Sequence, residues 1–304
     1  MDYKTILQEI YEETQKYRGL GNPVSYIPEL AKVDPDQYGI YLQTLEGEGI
    51  GIGDYQIPFS IQSISKVFTL AMGFSILKET LWERIGVEPS GNPFNSIMQL
   101  EIEKGIPRNP LINAGALVLS DILISHLDHP LEEYLAFVRL LSKCPTIEYD
   151  EDIAQSERKQ GFLNAAIANM LKHYGNIEND IDEVLSFYFH QCAVTMDCKQ
   201  LTQAFIPFAN HKEPFSFGSV NLTDSQVKRI NAIMLTCGFY DESGEFSYLV
   251  GLPGKSGVGG GISALFPQEY AVTVWSPRLN EKGNSSLGVK ALELLTTKTK
   301  HSIF

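Results

Sequence analysis

Ile57-Pro58-Phe59-Ser60-Ile61-Gln62-Ser63-Ile64-Ser65-Lys66-Val67-Phe68-Thr69-Leu70-Ala71-Met72 is the stretch on which the reading of the fold turns. Its strand-like start, Ile57-Pro58-Phe59, gives way to a helical run through Val67, Phe68, Leu70, Ala71 and Met72, so the pattern changes from a period of about 2 to about 3.6. Upstream, Ile6, Leu7, Ile10, Tyr11 and Tyr17 predict an amphipathic helix, which Asn22-Pro23 and Ile27-Pro28 bring to an end. β-Favouring residues from Tyr38 to Leu45 and from Ile50 onward flank Glu46-Gly47-Glu48-Gly49, which predicts a hairpin. Downstream the helical period persists to about Cys237, as in Leu131, Tyr134, Leu135, Val138 and Leu141 behind Pro130 at a first helical position. Thr223-x-x-Gln226 predicts a capping box. Strand patterns return at Phe246 to Val250, Ile262 to Phe266 and Tyr270 to Trp275, and residues 284–298 predict a closing helix.

Strands thus lie toward both ends and helices fill the middle. Short turns favour antiparallel pairing, because parallel strands need crossovers of about a dozen residues or more. The expected fold class is α+β: an antiparallel sheet built from both chain termini, flanked by helices, with a helical region inserted and a cleft between. Residues 1–62 and 241–304 form the α/β part and 63–240 the mainly helical part of one unit, with no repeat or long linker.

Composition narrows the function. The 304 residues are 43% hydrophobic and 20% charged, ordinary for a globular chain. Twenty-four Lys and Arg against 37 Asp and Glu leave a charge of -13, a field that repels nucleic acid and anionic lipid. No apolar run approaches the roughly 20 residues of a spanning helix, and Met1-Asp2-Tyr3-Lys4-Thr5 lacks the layout of a signal peptide. A cytoplasmic location is expected. Cys144, Cys192, Cys198 and Cys237 are too few for a disulfide framework, and the gap from Cys192 to Cys198 misses usual zinc spacing.

Ser63 and Lys66 share a helical face, so the lysine amine can approach the serine hydroxyl. A neutral amine can take that proton if burial lowers its pKa from about 10.4. The same spacing occurs at Ser75/Lys78, Ser156/Lys159 and Ser225/Lys228, but only Ser63 opens a strongly apolar helix behind a strand-like segment. Gly254-Lys255-Ser256-Gly257-Val258-Gly259-Gly260-Gly261 is no phosphate loop, since Leu249 stands where the leading glycine belongs. It suits an edge strand that substrate approaches closely, where the Val258 N–H could oppose that of Ser63 across an oxyanion. Glu157 and Asn164, seven apart in a helical stretch, would project from one face and suit an α-amino group, or simply face solvent. Asn113 among small residues is a helix cap or a site residue. Tyr188 and Tyr240 sit in apolar settings where core packing is the simpler role.

These residues resemble the serine-dependent glutaminases, whose catalytic domain has the β-lactamase-like fold. The likeness covers nearly the whole chain, from Ser25-Tyr26-Ile27-Pro28-Glu29-Leu30-Ala31 to Trp275-Ser276-Pro277. It includes Gln62-Ser63 with Lys66, Glu88-Pro89-Ser90-Gly91, Asn109 to Ala116, Gln155-Ser156-Glu157-Arg158, Cys237 to Asp241 and Lys255 to Val258. The resemblance implies a single catalytic domain over residues 1–304 that hydrolyses L-glutamine to L-glutamate and ammonia without metal or organic cofactor. It implies Ser63 as nucleophile, Lys66 as its activator, and Tyr188 and Tyr240 beside them. Asn113, Glu157 and Asn164 would hold the amino acid end, with Tyr26 and Gln62 nearby, and Ser63 and Val258 would furnish the oxyanion N–H groups. A homo-oligomer, dimer or tetramer, is implied too. The rivals are a penicillin-recognising acyl-serine hydrolase, which shares S-x-x-K but expects an asparagine missing from Tyr188-Phe189-His190, an asparagine-preferring amidase, and a non-catalytic amino acid sensor.

Overall fold

A computed structural model describes residues 1–90, 97–210 and 212–304; Gly91 of the Glu88–Gly91 block lies outside them. Nine strands are found among the described residues: β1 Gly39–Thr44, β2 Gly49–Gly53, β3 Phe59–Ser60, β4 Thr195–Met196, β5 Phe215–Phe217, β6 Val220–Leu222, β7 Gly254–Ser256, β8 Gly261–Phe266 and β9 Tyr270–Trp275. One five-stranded sheet runs in the order β2-β1-β9-β8-β7, antiparallel throughout. The Glu46–Gly49 turn closes the β1–β2 hairpin as expected, pairing Leu42 with Ile50, and Leu42 also pairs with Val272 of β9. The sheet therefore joins segments more than two hundred residues apart. The two small pairs, β3–β4 and β5–β6, lie outside it.

Alternation in β9 shows how the sheet divides the interior, since successive side chains point to opposite faces. Tyr270, Val272 and Val274 join Tyr3, Leu7 and Ile10 of the Tyr3–Thr14 helix and Leu287, Ala291, Leu292 and Leu295 of the Ser286–Thr299 helix. Ala271 and Trp275 belong to the larger core, with Phe205 and Phe208 of the Cys198–Ala209 helix and the helices inserted between β3 and β7. At the centre of that core runs the Ser65–Leu77 helix, buried continuously from Ser65 to Phe74. A helix apolar all round has to be a core helix. Pro130 opens the Pro130–Ser142 helix, and the Thr223/Gln226 capping box is formed. Among the described residues no helix is long and apolar enough to cross a membrane.

Two expectations need correction. Phe246 to Val250 is not a strand but part of the Ser243–Leu249 helix and its C-cap. A strand would bury Phe246, Tyr248 and Val250 together; instead Tyr248 is 88% exposed while Phe246 and Val250, four apart, are buried. Likewise, Glu157 and Asn164 do not share one helix, because the chain breaks at Gly161 between Glu151–Gln160 and Phe162–His173. A Cβ on Gly161 would come within 2.5 Å of the Phe189 ring.

Asp121 ties the inserted region together. Fully buried, it accepts from Arg84 Nη2 at 2.6 Å and, through its other oxygen, from the N–H groups of Glu178 and Asn179 at 3.0 and 2.8 Å. Removing a partner of a buried pair strands the other charge. Asp121→Ala should therefore cost about 3 kcal/mol in urea unfolding, and a loss under about 1 kcal/mol would show that the network carries little.

Candidate active site

β3 ends at Ser60, and the chain turns through Gln62, whose φ of 49° is left-handed, into a 3-10 turn spanning Gln62–Ile64 that carries Ser63. A bulky residue with positive φ is costly and marks a place that its surroundings over-determine. The Ser65–Leu77 helix then places Lys66 at its second residue. Of the four S-x-x-K pairs, only this one has a buried lysine: Lys78, Lys159 and Lys228 are exposed, Lys66 is 0% exposed.

Lys66 Nζ donates to Asn113 Oδ1 at 2.6 Å and to the Leu111 carbonyl at 3.4 Å. Burial lowers its pKa to about 8, against the opposing pull of Cys192 and Glu157. Asn113 stands at the first position of the Asn113–His126 helix, yet its side chain does not cap it. It accepts from Lys66 and donates through Nδ2 to Asn164 Oδ1 at 2.9 Å. Asn109 makes that placement possible by accepting from the N–H groups of Leu111 and Ile112. Gly115 lets the turn pack, since a Cβ there would sit 2.1 Å from the Asn109 carbonyl oxygen.

Tyr240 lines the same cavity as Ser63; burial raises its phenol to about 12, with the Ser63 and Ser256 hydroxyls drawing it back down. Tyr240, like Gln62, has a left-handed backbone, φ 56°. Tyr188 lies on the Ile181–Cys192 helix, its ring centroid 5.9 Å from Lys66 Nζ and its phenol pushed well up by burial. Glu157 is buried, accepts from Gln62 Nε2 at 2.8 Å, and has its pKa raised by burial to about 7, with Gln62 and Lys66 pulling the other way.

β7, as expected, is an edge strand, and its end presses on the Ser63 turn. Ideal Cβ atoms at Gly257 and Gly259 would lie 2.5 Å from the Ile61 carbonyl oxygen and 2.2 Å from that of Ser60. Only glycine allows this approach. Among the described residues, no protein acceptor takes the backbone N–H of Ser63 or of Val258.

All of this surrounds a cavity of about 250 Å³. Ser63, Gln62, Asn113, Glu157, Asn164, Tyr188, Tyr240 and Val258 line it, as does Tyr26, which stays 57% exposed. Lys66 lies beneath, off the lining. The Glu157/Asn164 pairing survives the break at Gly161, since both side chains still reach the cavity. Reading the sequence missed Ile27, Gln160, Gly161, Leu163 and Cys192. Gln160 and Leu163 neighbour recognised residues, and that adjacency was the only signal. Cys192 is a buried thiol pushed up to about 12 by burial, so it is a poor nucleophile.

A buried serine, an amine titrating near pH 8 and two available N–H groups equip the cavity for acyl transfer. Serine-acylating hydrolases of the β-lactamase-like fold are the class that this sheet and cavity define. The profile of the glutaminase family matches residues 21–304. A glutaminase of Christiangramia forsetii is 53% identical over 304 residues, covering all of both chains. A probable glutaminase of Bacillus subtilis superposes with TM-score 0.89 at 31% identity over 100% of this chain and 98% of its own. The Bacillus subtilis protein complexed with 6-diazo-5-oxo-L-norleucine gives 0.87 at 29%, covering the same shares. The chain belongs to the glutaminase family, the amidohydrolases of L-glutamine.

Gly257→Ala should separate β7 from the Ser63 turn and lower turnover at least about 10-fold, as small misplacements of reacting groups do. Gly244→Ala, where a Cβ meets nothing within 4 Å, serves as the control. Equal steady-state rates for the two variants would show that the close approach does not matter.

Proposed function

We propose that Ser63 carries the γ-glutamyl group during hydrolysis of L-glutamine and that the cavity residues divide the remaining work. Lys66, with a pKa near 8, is neutral in a useful fraction at working pH and takes the Ser63 proton. Tyr240, near 12, stays protonated there, so it relays the proton and is not the resting base. The Ser63 oxygen attacks the side-chain amide carbon, and the N–H groups of Ser63 and Val258 receive the oxyanion. Ammonia leaves with the proton returned, and water hydrolyses the ester through a second tetrahedral state. Tyr188 lines the cavity with its ring centroid 5.9 Å from the Lys66 amine, and we assign it to the surroundings of the reacting centre.

The substrate's ammonium pairs with Glu157, which Gln62 orients, while Asn113 and Asn164 hold its carboxylate end and Tyr26 borders the opening. The observation that carries this reading is the fully buried Lys66 beneath a serine-lined cavity. A non-catalytic sensor needs no such amine. The cavity is below the roughly 300–1,000 Å³ of drug-sized sites, which suits a single amino acid. We read the chain as one catalytic domain working without cofactor in the cytoplasm, a reading supported by its four free thiols. A homo-oligomer is supported by the exposed Phe162, Met98 and Ile102, and sedimentation would test it.

Ammonia release from L-glutamine should fall by at least about a thousandfold in Ser63→Ala, with little turnover of L-asparagine or a chromogenic β-lactam by the wild type. Residual release near the wild-type rate would reject the nucleophile; tight glutamine binding without any release, with and without phosphate, would favour the sensor.

Glu157 gives a pH prediction. Its ionised form pairs with ammonium, and its pKa near 7 means that it is largely protonated at pH 6. Glutamine binding to Ser63→Ala should therefore release protons at pH 6.5, read by calorimetry in buffers of different ionisation enthalpy. The raised pKa also means that the native state holds a proton between about pH 4.5 and 7 that the unfolded chain has lost, so stability falls as pH rises through that window. Glu157→Gln should escape this penalty, melting several degrees higher at pH 8 while its Michaelis constant for glutamine rises at least about 10-fold. A lower melting temperature with an unchanged Michaelis constant would contradict both assignments.

A further inference from the structure

Lys255 is a second lysine with no solvent exposure, and nothing in the reaction described so far uses it. Lysine is almost never fully buried unless paired, yet among the described residues no carboxylate pairs with Lys255. Its Nζ donates to the Gly238 carbonyl at 3.0 Å and to the Ser256 carbonyl at 2.6 Å, and lies 4.5 Å from the centroid of the Tyr240 ring. Carbonyl oxygens and an aromatic face are all acceptors for N–H groups, so the amine's donors have somewhere to go.

All three contacts belong to the seat of Tyr240. Gly238 lies two residues before it and is sealed against β7, where an added Cβ would sit 1.9 Å from the Gly254 carbonyl oxygen. The Gly238 carbonyl also accepts from the Ser256 N–H at 3.2 Å, and the Ser256 side chain acts on the phenol. Lys255 thus fills the seam between β7 and the turn that holds Tyr240 in its left-handed conformation. A backbone of that kind costs about 1–3 kcal/mol and persists only where neighbours enforce it. Burial, and Lys66 after it, hold the Lys255 amine well below the usual lysine range.

We propose that Lys255 is a positioning residue of the reaction: by bridging the Gly238 turn to β7 beneath the Tyr240 ring, it fixes the phenol against Ser63 and contributes to turnover through that phenol. The proposal rests on the roles given above to Ser63 and Tyr240.

The test is a double-mutant cycle on the purified full chain, with ammonia release from L-glutamine as the readout. Lys255→Met should lower kcat about 10–100-fold and change KM less than about threefold, since a displaced catalytic group costs rate more than ground-state binding. In the Tyr240→Phe background the same substitution should change kcat less than about twofold, because the group it positions is gone. Equal factors in the two backgrounds would show that Lys255 acts on the fold at large, and an unchanged kcat in the single variant would show that it does nothing; either overturns the proposal. If Tyr240→Phe alone leaves kcat unchanged, the role of Tyr240 falls and this proposal with it, whereas activity surviving in Ser63→Ala identifies failure of the nucleophile reading. Should Lys255→Met not fold, Lys255→Gln, which keeps an N–H donor for the two carbonyls, goes through the same cycle with a smaller expected loss and the same overturning result.

Discussion

Lys66 is fully buried, and it is held by a carboxamide and a carbonyl, not by a carboxylate. That single placement makes demands on much of the molecule. A carboxylate bonded to the amine would stabilise its charge and raise its pKa, whereas neutral dipoles satisfy its N–H groups while burial pulls the pKa down to about 8. Burying the amine needs a helix that is apolar on every side, and Ser65–Leu77 is one. Presenting Asn113 to it needs a helix that starts at that residue, which in turn needs Asn109 to take the N–H groups ahead of it and Gly115 to let the turn close.

The other wall of the cavity answers a different constraint. Backbone N–H groups stabilise an oxyanion only if the chain itself comes close, so the segment leaving β7 carries Gly257 and Gly259 where it meets the Ser60–Ser63 segment. β7 is held in the sheet by β8, which pairs with β9, which pairs with β1. The two ends of the chain therefore build one rigid wall, and the inserted helices bring Ser63, Asn113, Glu157 and Tyr188 against it. Left-handed backbones at Gln62 and Tyr240 fall where these two bodies meet, as expected of residues whose conformation the surroundings impose.

Much of this was legible without coordinates, for local reasons. The Glu46–Gly49 turn, Pro130 at a helix start and the Thr223/Gln226 cap each act within a few residues, and each is found as read. Ser63/Lys66 could be chosen among four identical spacings because only its context is apolar enough to bury an amine. Where the reading failed, the signal was not local. Five apolar-rich residues from Phe246 fit strand or helix alike until Phe246 stacks on Phe239 and leaves Tyr248 outside. Glu157 and Asn164 were paired by a helical period that Gly161 interrupts, and they meet because both helices border one cavity. Cys192 lines that cavity through neighbours distant in the chain, and the seat of Lys255 brings Gly238 and Tyr240 to it from another segment in the same way.

The account stands on Ser63 bearing the acyl group. The most direct measurement is rapid acid quenching of the wild type during turnover of L-glutamine, followed by mass analysis of the proteolytic peptide containing Ser63. The account predicts a fraction of that peptide heavier by one glutamyl group, esterified at Ser63 and absent in Ser63→Ala. Steady-state turnover with the mass added to another residue, or with no adduct at any quench time while ammonia is released in a burst, would contradict it.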